Sequence, residues 1–507
     1  MKKNVLWTIL SVFVLILQLA AETLTAVIVM RLNVLPDSYM VVLAAAMGVL
    51  TLTTALLLFA RGKKPVSMAR KIIACILALL IVCGCALLSK LAADAYRTIH
   101  AVTNNNNETT SVGNMYIFLR GDDPATKLSD TAEYTFAVVQ DYDVEHTEGA
   151  ILVIEEQTGK AITVVPYTRI TDLADALFDK QVDALILNGA AVTLLMEEEA
   201  YADFTQKTKI LHTMPLEELK ETEPTTTPTE TVPEPEGDVT NTPFVVYISG
   251  SDTRSSKLRV SRSDVNILVA VNPVTKQVLL LNTPRDCYVP NPAGNGKLDK
   301  LTHCGLYGTG CSMEALENLY DVDIKYYAQI NFTGFETLID AVGGITIYSN
   351  QAFTARDTEI VKGENKLSGV QALDLVRERY HLPGGDNDRG KNQMKVIAAL
   401  IDKLTSGTTI ISNYSGILKS LEGMFKTSIS TEEISMLVKM QLTDMASWNV
   451  QTFALTGTGS REETYSAPGM SLYVMHPNEK AVAYAGELLD RVLAGETLTA
   501  ADMKLPK

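Results

Sequence analysis

Between Ser261 and Arg389 the chain repeatedly sets arginines and aspartates at the ends of apolar runs. Ser261-Arg262-Ser263-Asp264 opens one run, Pro284-Arg285-Asp286 closes the next, and Arg377-Glu378-Arg379 is followed by Asp386 and Arg389. A guanidinium stays charged at any working pH, and its planar fork grips phosphate oxygens two at a time. Several converging arginines therefore predict a phosphorylated ligand. The recurring acids Asp252, Asp264 and Asp386 are the candidates for holding a metal. Any one of these arginines alone would be an ordinary solvated charge; recurring at successive run ends in one domain, they are read as a group.

The elements that position them follow from periodicity. On an extended segment residues i and i+2 share a face, whereas on a helix they diverge by about 200°. Residues 369–375 have helical spacing, so Arg377 and Arg379 are placed on a strand or extended turn beyond that helix, where both forks can share one anion. Residues 382–390 read as a flexible loop ahead of a helix over 391–404. Arg389 then sits near a helix N-terminus, where free amides and the dipole also favour an anion. Runs 265–271 and 278–282 are continuously apolar, as strands buried on both faces should be. A strand over 244–249, helices over 312–320 and 332–341, a turn at Gly343-Gly344 and a strand over 345–348 follow the same logic. A helical pattern over 410–444, a strand over 450–455 and a closing helix over 479–493 complete an α/β alternation of three-layer α-β-α type.

At 507 residues the chain is too long for one core, so two or more domains are expected. A net charge of −15 and a pI near 5.0 argue against nucleic acid as a partner. Any phosphate site must be local. Mean hydropathy is +0.11, and the apolar excess sits at the front. Stretches 5–30, 39–60 and 72–91 each approach or exceed the ~20 residues a membrane-crossing helix needs, which predicts a three-helix membrane anchor over 1–95. Arg61, Lys63, Lys64, Arg70 and Lys71 follow the second stretch, and Lys2 and Lys3 begin the chain. The positive-inside rule then puts the N-terminus in the cytoplasm and everything after about residue 93 outside.

Residues 96–112 read as a polar tether, and 113–219 as a small α/β domain with strands over 114–120, 135–140, 150–155 and 184–188 and helices over 170–180 and 191–200. It offers no nucleophile–base pair and no phosphate loop. Thr, Pro and acidic residues make 220–243 a linker; a catalytic domain over 244–495 and a tail over 496–507 follow. Cys75, Cys83 and Cys85 lie in the third apolar stretch as small apolar side chains. Cys304 and Cys311 bracket a Gly-rich loop and are candidates for a small disulfide in an oxidising compartment. Cys287 is read as either buried and inert or reactive.

Gly250-Ser251-Asp252-Thr253-Arg254, Ser261-Arg262-Ser263-Asp264, Pro284-Arg285-Asp286, Lys297-Leu298, Asp340-Ala341-Val342-Gly343-Gly344, Gln371-Ala372-Leu373 with Arg377-Glu378-Arg379, and Asp386 ahead of Arg389 follow one another in order. In that order they resemble the LytR-CpsA-Psr family, over about 244–493. The resemblance implies a membrane-anchored, extracellular phosphotransferase. Such an enzyme moves a wall polymer, teichoic acid or capsular polysaccharide, from a polyprenyl pyrophosphate carrier to a muramic acid hydroxyl of peptidoglycan. By position it implies that Arg285, Arg377, Arg379 and Arg389 hold the pyrophosphate and that Asp252 and Asp264 position Mg2+, with Arg262 and Asp386 in support. This agrees with a transfer chemistry that works by positioning and charge neutralisation. The acceptor hydroxyl needs a base, for which Asp252 and Asp386 both qualify. The polyprenyl chain needs an apolar channel, expected between strand 265–271 and helix 332–341. Asn392 departs from the family pattern, which usually has an arginine there. The competing readings are a non-catalytic sensor of lipid-linked precursors and a polyprenyl pyrophosphate hydrolase.

Overall fold

The computed structural model describes residues 2–60, 67–103, 113–196, 198–219, 238–251, 258, 260–406 and 423–506. It begins with helices α1 (Lys2–Leu32), α2 (Asp37–Phe59) and α3 (Met68–Thr103). Their segments Trp7–Leu32, Asp37–Phe59 and Met68–Asp94 are long and apolar enough to cross a membrane, and Ile9, Phe13, Val41 and Leu80 are exposed on the outside of the bundle. Helices that are apolar all round belong in lipid, so these three suggest membrane anchoring. Among the polar groups within, Glu22 accepts from Gln18 Nε2 at 2.9 Å and Thr51 Oγ1 at 2.5 Å.

Helix α3 runs on to Thr103, so the tether expected from residue 96 is helical over its first part; 104–112 lie outside the described residues. Extending an existing helix costs far less than starting one, and Ala92, Ala93, Ala95 and Ala101 favour it. Thr103 Oγ1 lies 2.8 Å from Thr431 Oγ1, and Lys439 Nζ lies 2.8 Å from Asp37 Oδ1. The end of α3 and the α1–α2 connection thus both touch the C-terminal part of the chain.

The next unit comprises β1 (Asn114–Arg120), β2 (Thr135–Val139), α4 (Val144–Thr158), β3 (Thr163–Tyr167), α5 (Ile170–Phe178), β4 (Ala184–Asn188), α6 (Gly189–Leu195), α7 (Phe204–Lys207) and β5 (Thr208–Pro215). The sheet order is β3-β2-β4-β1-β5, with β2 parallel to β3 and β4 and with β1 antiparallel to both its neighbours. Residues 150–155, expected as a strand, lie inside α4. A short apolar run does not distinguish strand from helix; here Ala150 and Ile154, one helical turn apart, are the buried pair. Residues 191–200, expected as one helix, are helical only to Leu195.

The C-terminal part contains β6 (Phe244–Ser251), β7 (Val265–Asn272), β8 (Gln277–Asn282), β9 (Tyr288–Pro290), β10 (Leu298–Lys300), α8 (Leu301–Cys304), α9 (Thr309–Tyr320), β11 (Tyr326–Asn331), α10 (Phe332–Ala341), β12 (Ile345–Ser349), β13 (Phe353–Ala355), β14 (Thr358–Ile360), β15 (Gly363–Leu367), α11 (Gly369–Arg377), α12 (Asp386–Thr405) and β16 (Phe425–Thr427). A helix over Thr431–Asp444, β17 (Asn449–Ala454), β18 (Gly457–Thr464), β19 (Ala467–Pro477) and a helix over Glu479–Leu493 complete it. The main sheet runs β16-β11-β6-β7-β8-β17 and is mixed: β6–β11 and β8–β17 pair in parallel, the rest antiparallel. Alternate residues serve opposite faces. Tyr247, Leu268 and Leu279 pack with Leu316 of α9 and Leu488 of the last helix, while Val246, Ile267 and Leu280 pack with Met394 of α12. Of the helical run expected over 410–444, residues to 422 lie outside the described residues, Phe425–Thr427 form edge strand β16, and the helix starts at Thr431. Ser430 sets that start through a capping box with Glu433.

Helices α10 and α11 cross so closely at Gly369 that an added Cβ would overlap the backbone carbonyl of Glu336. Gly369→Ala is expected to cost about 1–3 kcal/mol by wedging the pair apart. Gly310→Ala, whose new methyl group meets open space, should leave the melting temperature unchanged; thermal unfolding of both variants reads the difference.

Candidate active site

The ends of β6, β7 and β8 bring the first acids and bases together. Asp264 enters β7 with its amide on Gly250 O of β6 at 2.8 Å. Its carboxylate accepts from Arg285 Nη1 at 2.5 Å and faces Thr302 Oγ1 at 3.4 Å. Arg285, just past β8, is held from behind as Thr302 N donates to its carbonyl at 2.9 Å. Asp286 Oδ1 lies 3.8 Å from Arg285 Nε and 2.6 Å from Lys300 Nζ. The result is a row of alternating charge, Asp264–Arg285–Asp286–Lys300, with every side chain mostly buried.

The first turn of α12 supplies the other wall. Arg389 is buried, and its Nη2 lies 2.5 Å from Asp386 Oδ1, although no well-directed hydrogen bond reaches that oxygen. Burial pushes the Asp386 carboxyl up; Asp286 adds to this, while Arg389, Arg285 and Arg379 pull the other way. A Cβ on Gly390 would overlap Asn282 Oδ1 at the end of β8, so the first turn of α12 sits against the strand end that leads to Arg285. The helix begins at Asp386, five residues earlier than its apolar period predicts, because Asp386 and Asp388 suit the positive end of the dipole.

Arg377 and Arg379 depart from expectation. Arg377 is the last residue of α11, with its guanidinium 4.4 Å from the centre of the Phe332 ring, and Arg379 lies beyond the helix against Tyr380 at 4.7 Å. Glu378 makes the turn between them. Its buried carboxylate accepts from the amides of Arg356 (2.9 Å), Tyr380 (2.6 Å) and His381 (2.8 Å). Burial alone would raise its pKa, yet these donors win and hold it down at about 2.

Sequence reasoning missed Lys300 and the buried carboxylate beside it. Asp299 is wholly buried and accepts from Asn291 Nδ2 at 3.0 Å, Lys300 N at 2.8 Å, Ser466 N at 3.1 Å and His303 Nδ1 at 2.6 Å. Burial opposes its ionisation, but His303, Ser466 and Asn291 keep it below the usual range. From Ser466 a line of hydroxyls continues through Tyr307 and Tyr142, at 3.0 Å each step, to Asn188 at 3.1 Å in the small unit. The only sequence signal was the acid–base pair Asp299-Lys300 directly after Lys297-Leu298.

Asp252 lies outside the described residues, as do Thr253 and Arg254; Ser251 before it ends β6. Arg262 is half-buried two residues before Asp264. Asn392 is buried in α12. Cys304 and Cys311 are free thiols, not a disulfide: Cys304 Sγ is turned to Lys300 O at 3.9 Å and Cys311 Sγ to Asn291 Oδ1 at 3.3 Å. Cys287 is completely buried, which pushes its thiol up to about 12 and disfavours the reactive thiolate.

Directly beneath the charges is an apolar cavity of ≈ 180 Å³, lined among others by Ile248, Val265, Ala328, Phe332, Phe335 and Val376. Val265 follows Asp264, Val376 precedes Arg377, and Phe332 carries the Arg377 guanidinium. The cavity lies where the channel was expected, between β7 and α10.

The site is a rim of paired charges beside an apolar cavity, built on a mixed α/β sheet. The LytR_cpsA_psr family model matches residues 206–482, and the chain belongs to that family. It is 35% identical over 227 residues to the polyisoprenyl-teichoic acid–peptidoglycan teichoic acid transferase TagU of Enterococcus faecalis, covering 44% of this chain and 73% of that protein. Against the protein of the same name from Bacillus licheniformis the identity is 33% over 193 residues, covering 38% and 62%. Among solved structures, "TagT bound to LIIa-WTA" aligns at 25% identity and a TM-score of 0.42, covering 52% of this chain and 96% of that one. "Crystal structure of B. subtilis TagV" aligns at 25% and 0.43, covering 51% and 99%.

A carboxyl whose pKa is lower folded than unfolded stabilises the fold above its unfolded value, and the gain disappears as pH falls through the folded one. For Glu378, moved from 4.5 to about 2, that is about 3 kcal/mol at neutral pH. Glu378→Gln should therefore lower the melting temperature at pH 7, with the gap to the parent closing as pH falls from about 4.5 towards 2.

Proposed function

We propose that this chain is a membrane-anchored, extracellular transferase that moves a glycopolymer phosphate from a polyprenyl pyrophosphate carrier onto peptidoglycan. The observation that carries the proposal is the pairing of an arginine rim with an apolar well. A diphosphate head and an isoprenoid tail need just these two surfaces side by side. The names of the relatives point to the same donor and acceptor.

In this reading Arg285 and Arg389 take the diphosphate oxygens, with Arg262, Arg377 and Arg379 completing the grip from the loop ends. Asp264 and Asp252 fit Mg2+, a hard cation that accepts a few carboxylates together with phosphate oxygens. Asp264 offers a carboxylate, and Asp252 is attached one residue past β6, whose Gly250 carbonyl pairs with Asp264. When bound, the cation would neutralise charge on the transferring group. Asp386 is assigned the role of general base, because burial gives its carboxyl a stronger hold on a proton than an ordinary aspartate has. The acceptor hydroxyl then loses its proton to Asp386 as its oxygen attacks phosphorus, and polyprenyl phosphate leaves along the apolar well.

The proposed organisation is a multi-pass anchor (1–95) with a cytoplasmic N-terminus, an accessory α/β domain (113–219), a linker (220–243), a three-layer α-β-α transferase domain (244–495) and a tail (496–507). Contact of Asp37 and Thr103 with the helix Thr431–Asp444 supports this topology, since the basic loop after α2 then falls on the opposite side of the bilayer.

The full chain in lipid nanodiscs, given Mg2+, a polyprenyl-pyrophosphate oligosaccharide and peptidoglycan fragments, should yield a phosphodiester-linked adduct by mass spectrometry. Arg285→Ala should reduce the yield about a hundredfold or more, and a chelator should stop it. Donor that binds but stays intact would leave a sensor instead, and acceptor-independent release of polyprenyl phosphate would leave a hydrolase. The rate should fall as pH drops through the raised Asp386 pKa. Asp386→Asn should abolish the activity and also lower the melting temperature, because buried Arg389 loses its counter-charge.

A further inference from the structure

A second cavity, of ≈ 320 Å³, lies between the small α/β unit and the β18–β19 hairpin. Its walls are Gln140, Asp141 and Thr168 on one side and Lys297, Glu463, Thr464 and Tyr465 on the other. Gln140 and Thr168 follow the carboxyl ends of the parallel strands β2 and β3, the place where open α/β sheets take ligands. Unlike the well under the arginines, this crevice is polar and carries both signs of charge. Asp141 and Glu463 expose their carboxylates. Lys297 gives one bond to Asp141 O at 2.9 Å, and an ammonium has three donors. Thr464 Oγ1 is buried and has no hydrogen-bond partner. Asp141 is also held at a φ of +57°, a conformation that tends to persist where surrounding structure or a ligand demands it.

We propose that this crevice binds the peptide of the acceptor, a short peptide with a free amine and a free carboxylate. The amine would meet Asp141 and Glu463, the carboxylate Lys297, and the peptide groups the side chains of Gln140, Thr168 and Thr464. The inference rests on the transferase reading for the identity of the acceptor. Distance supports it. Lys297 in the crevice and Lys300 in the charge row are the two ends of β10 and the residue before it, about 10 Å apart along an extended chain. In peptidoglycan the peptide hangs from the same muramic acid ring that would present the attacking hydroxyl, and two to three extended residues cover about 10 Å. One acceptor unit therefore spans both sites. The small unit becomes a specificity domain that selects peptide-bearing wall.

The test is binding to the full chain in nanodiscs, without donor, of three synthetic probes: the disaccharide carrying its pentapeptide, the same disaccharide bare, and the free pentapeptide. The peptide-bearing probe should bind at least about tenfold more tightly than the bare one, as expected for one or two charge-assisted bonds. Glu463→Gln and, separately, Asp141→Asn should shrink that ratio to within about twofold, while binding of a fluorescent polyprenyl pyrophosphate reports that the arginine site is intact. Equal affinity for bare and peptide-bearing probes, or a ratio unmoved in both variants, overturns the proposal. If the ratio behaves as expected but no acceptor is ever phosphorylated, the crevice stands and the transferase reading falls.

Discussion

A cation cannot be taken out of water without a counter-charge, and this requirement organises everything around the candidate site. Arg389 and Lys300 are buried, and Arg285 is nearly so. Asp386, Asp286 and Asp264 balance them one for one. Without ligand the cluster is neutral and can be buried at tolerable cost. Arg377 and Arg379 lie outside these three pairs, stacked on Phe332 and Tyr380.

The scaffold makes that exchange local. Asp264, Arg285 and Asp286 stand where β7 begins and just past the end of β8, central strands whose cores on both faces fix their position. Asp386 and Arg389 come from the first turn of α12, which packs on the same sheet. Rigid elements therefore hold both walls, and the mobile choice is left to side chains. The apolar well uses the same strands and helices one residue further in, so head and tail of an amphiphile are registered against each other by the sheet itself.

Much of this was legible in the chain. Strands β1, β4, β7 and β8 announce themselves by apolar runs, and the blocks containing Arg262 and Arg285 flank β7 and β8. What was misread has physical causes. The stretch 150–155 is apolar enough for a strand but is paired by helical spacing. Arg377 closes a helix that runs two residues past its apolar spacing, and the buried Glu378, gathering three amides, makes the turn. The Asp299 hub left no local trace: its partner Ser466 is 167 residues away, and no periodicity reports a contact made only by the fold. The cysteine pair shows the reverse failure, since spacing brought the thiols together without committing them to a bond.

Helix α3 continues past its membrane-spanning segment without a break. The nine residues from 95 to 103 extend beyond its apolar window and end docked at Thr431. At 1.5 Å per residue they form a post about 14 Å tall. A leash of the same length would let an enzyme graze at any depth; a post fixes its altitude. On the proposed topology the chemistry happens in one thin stratum next to the bilayer, where wall is newest, and older layers pass out of range simply by being pushed outward.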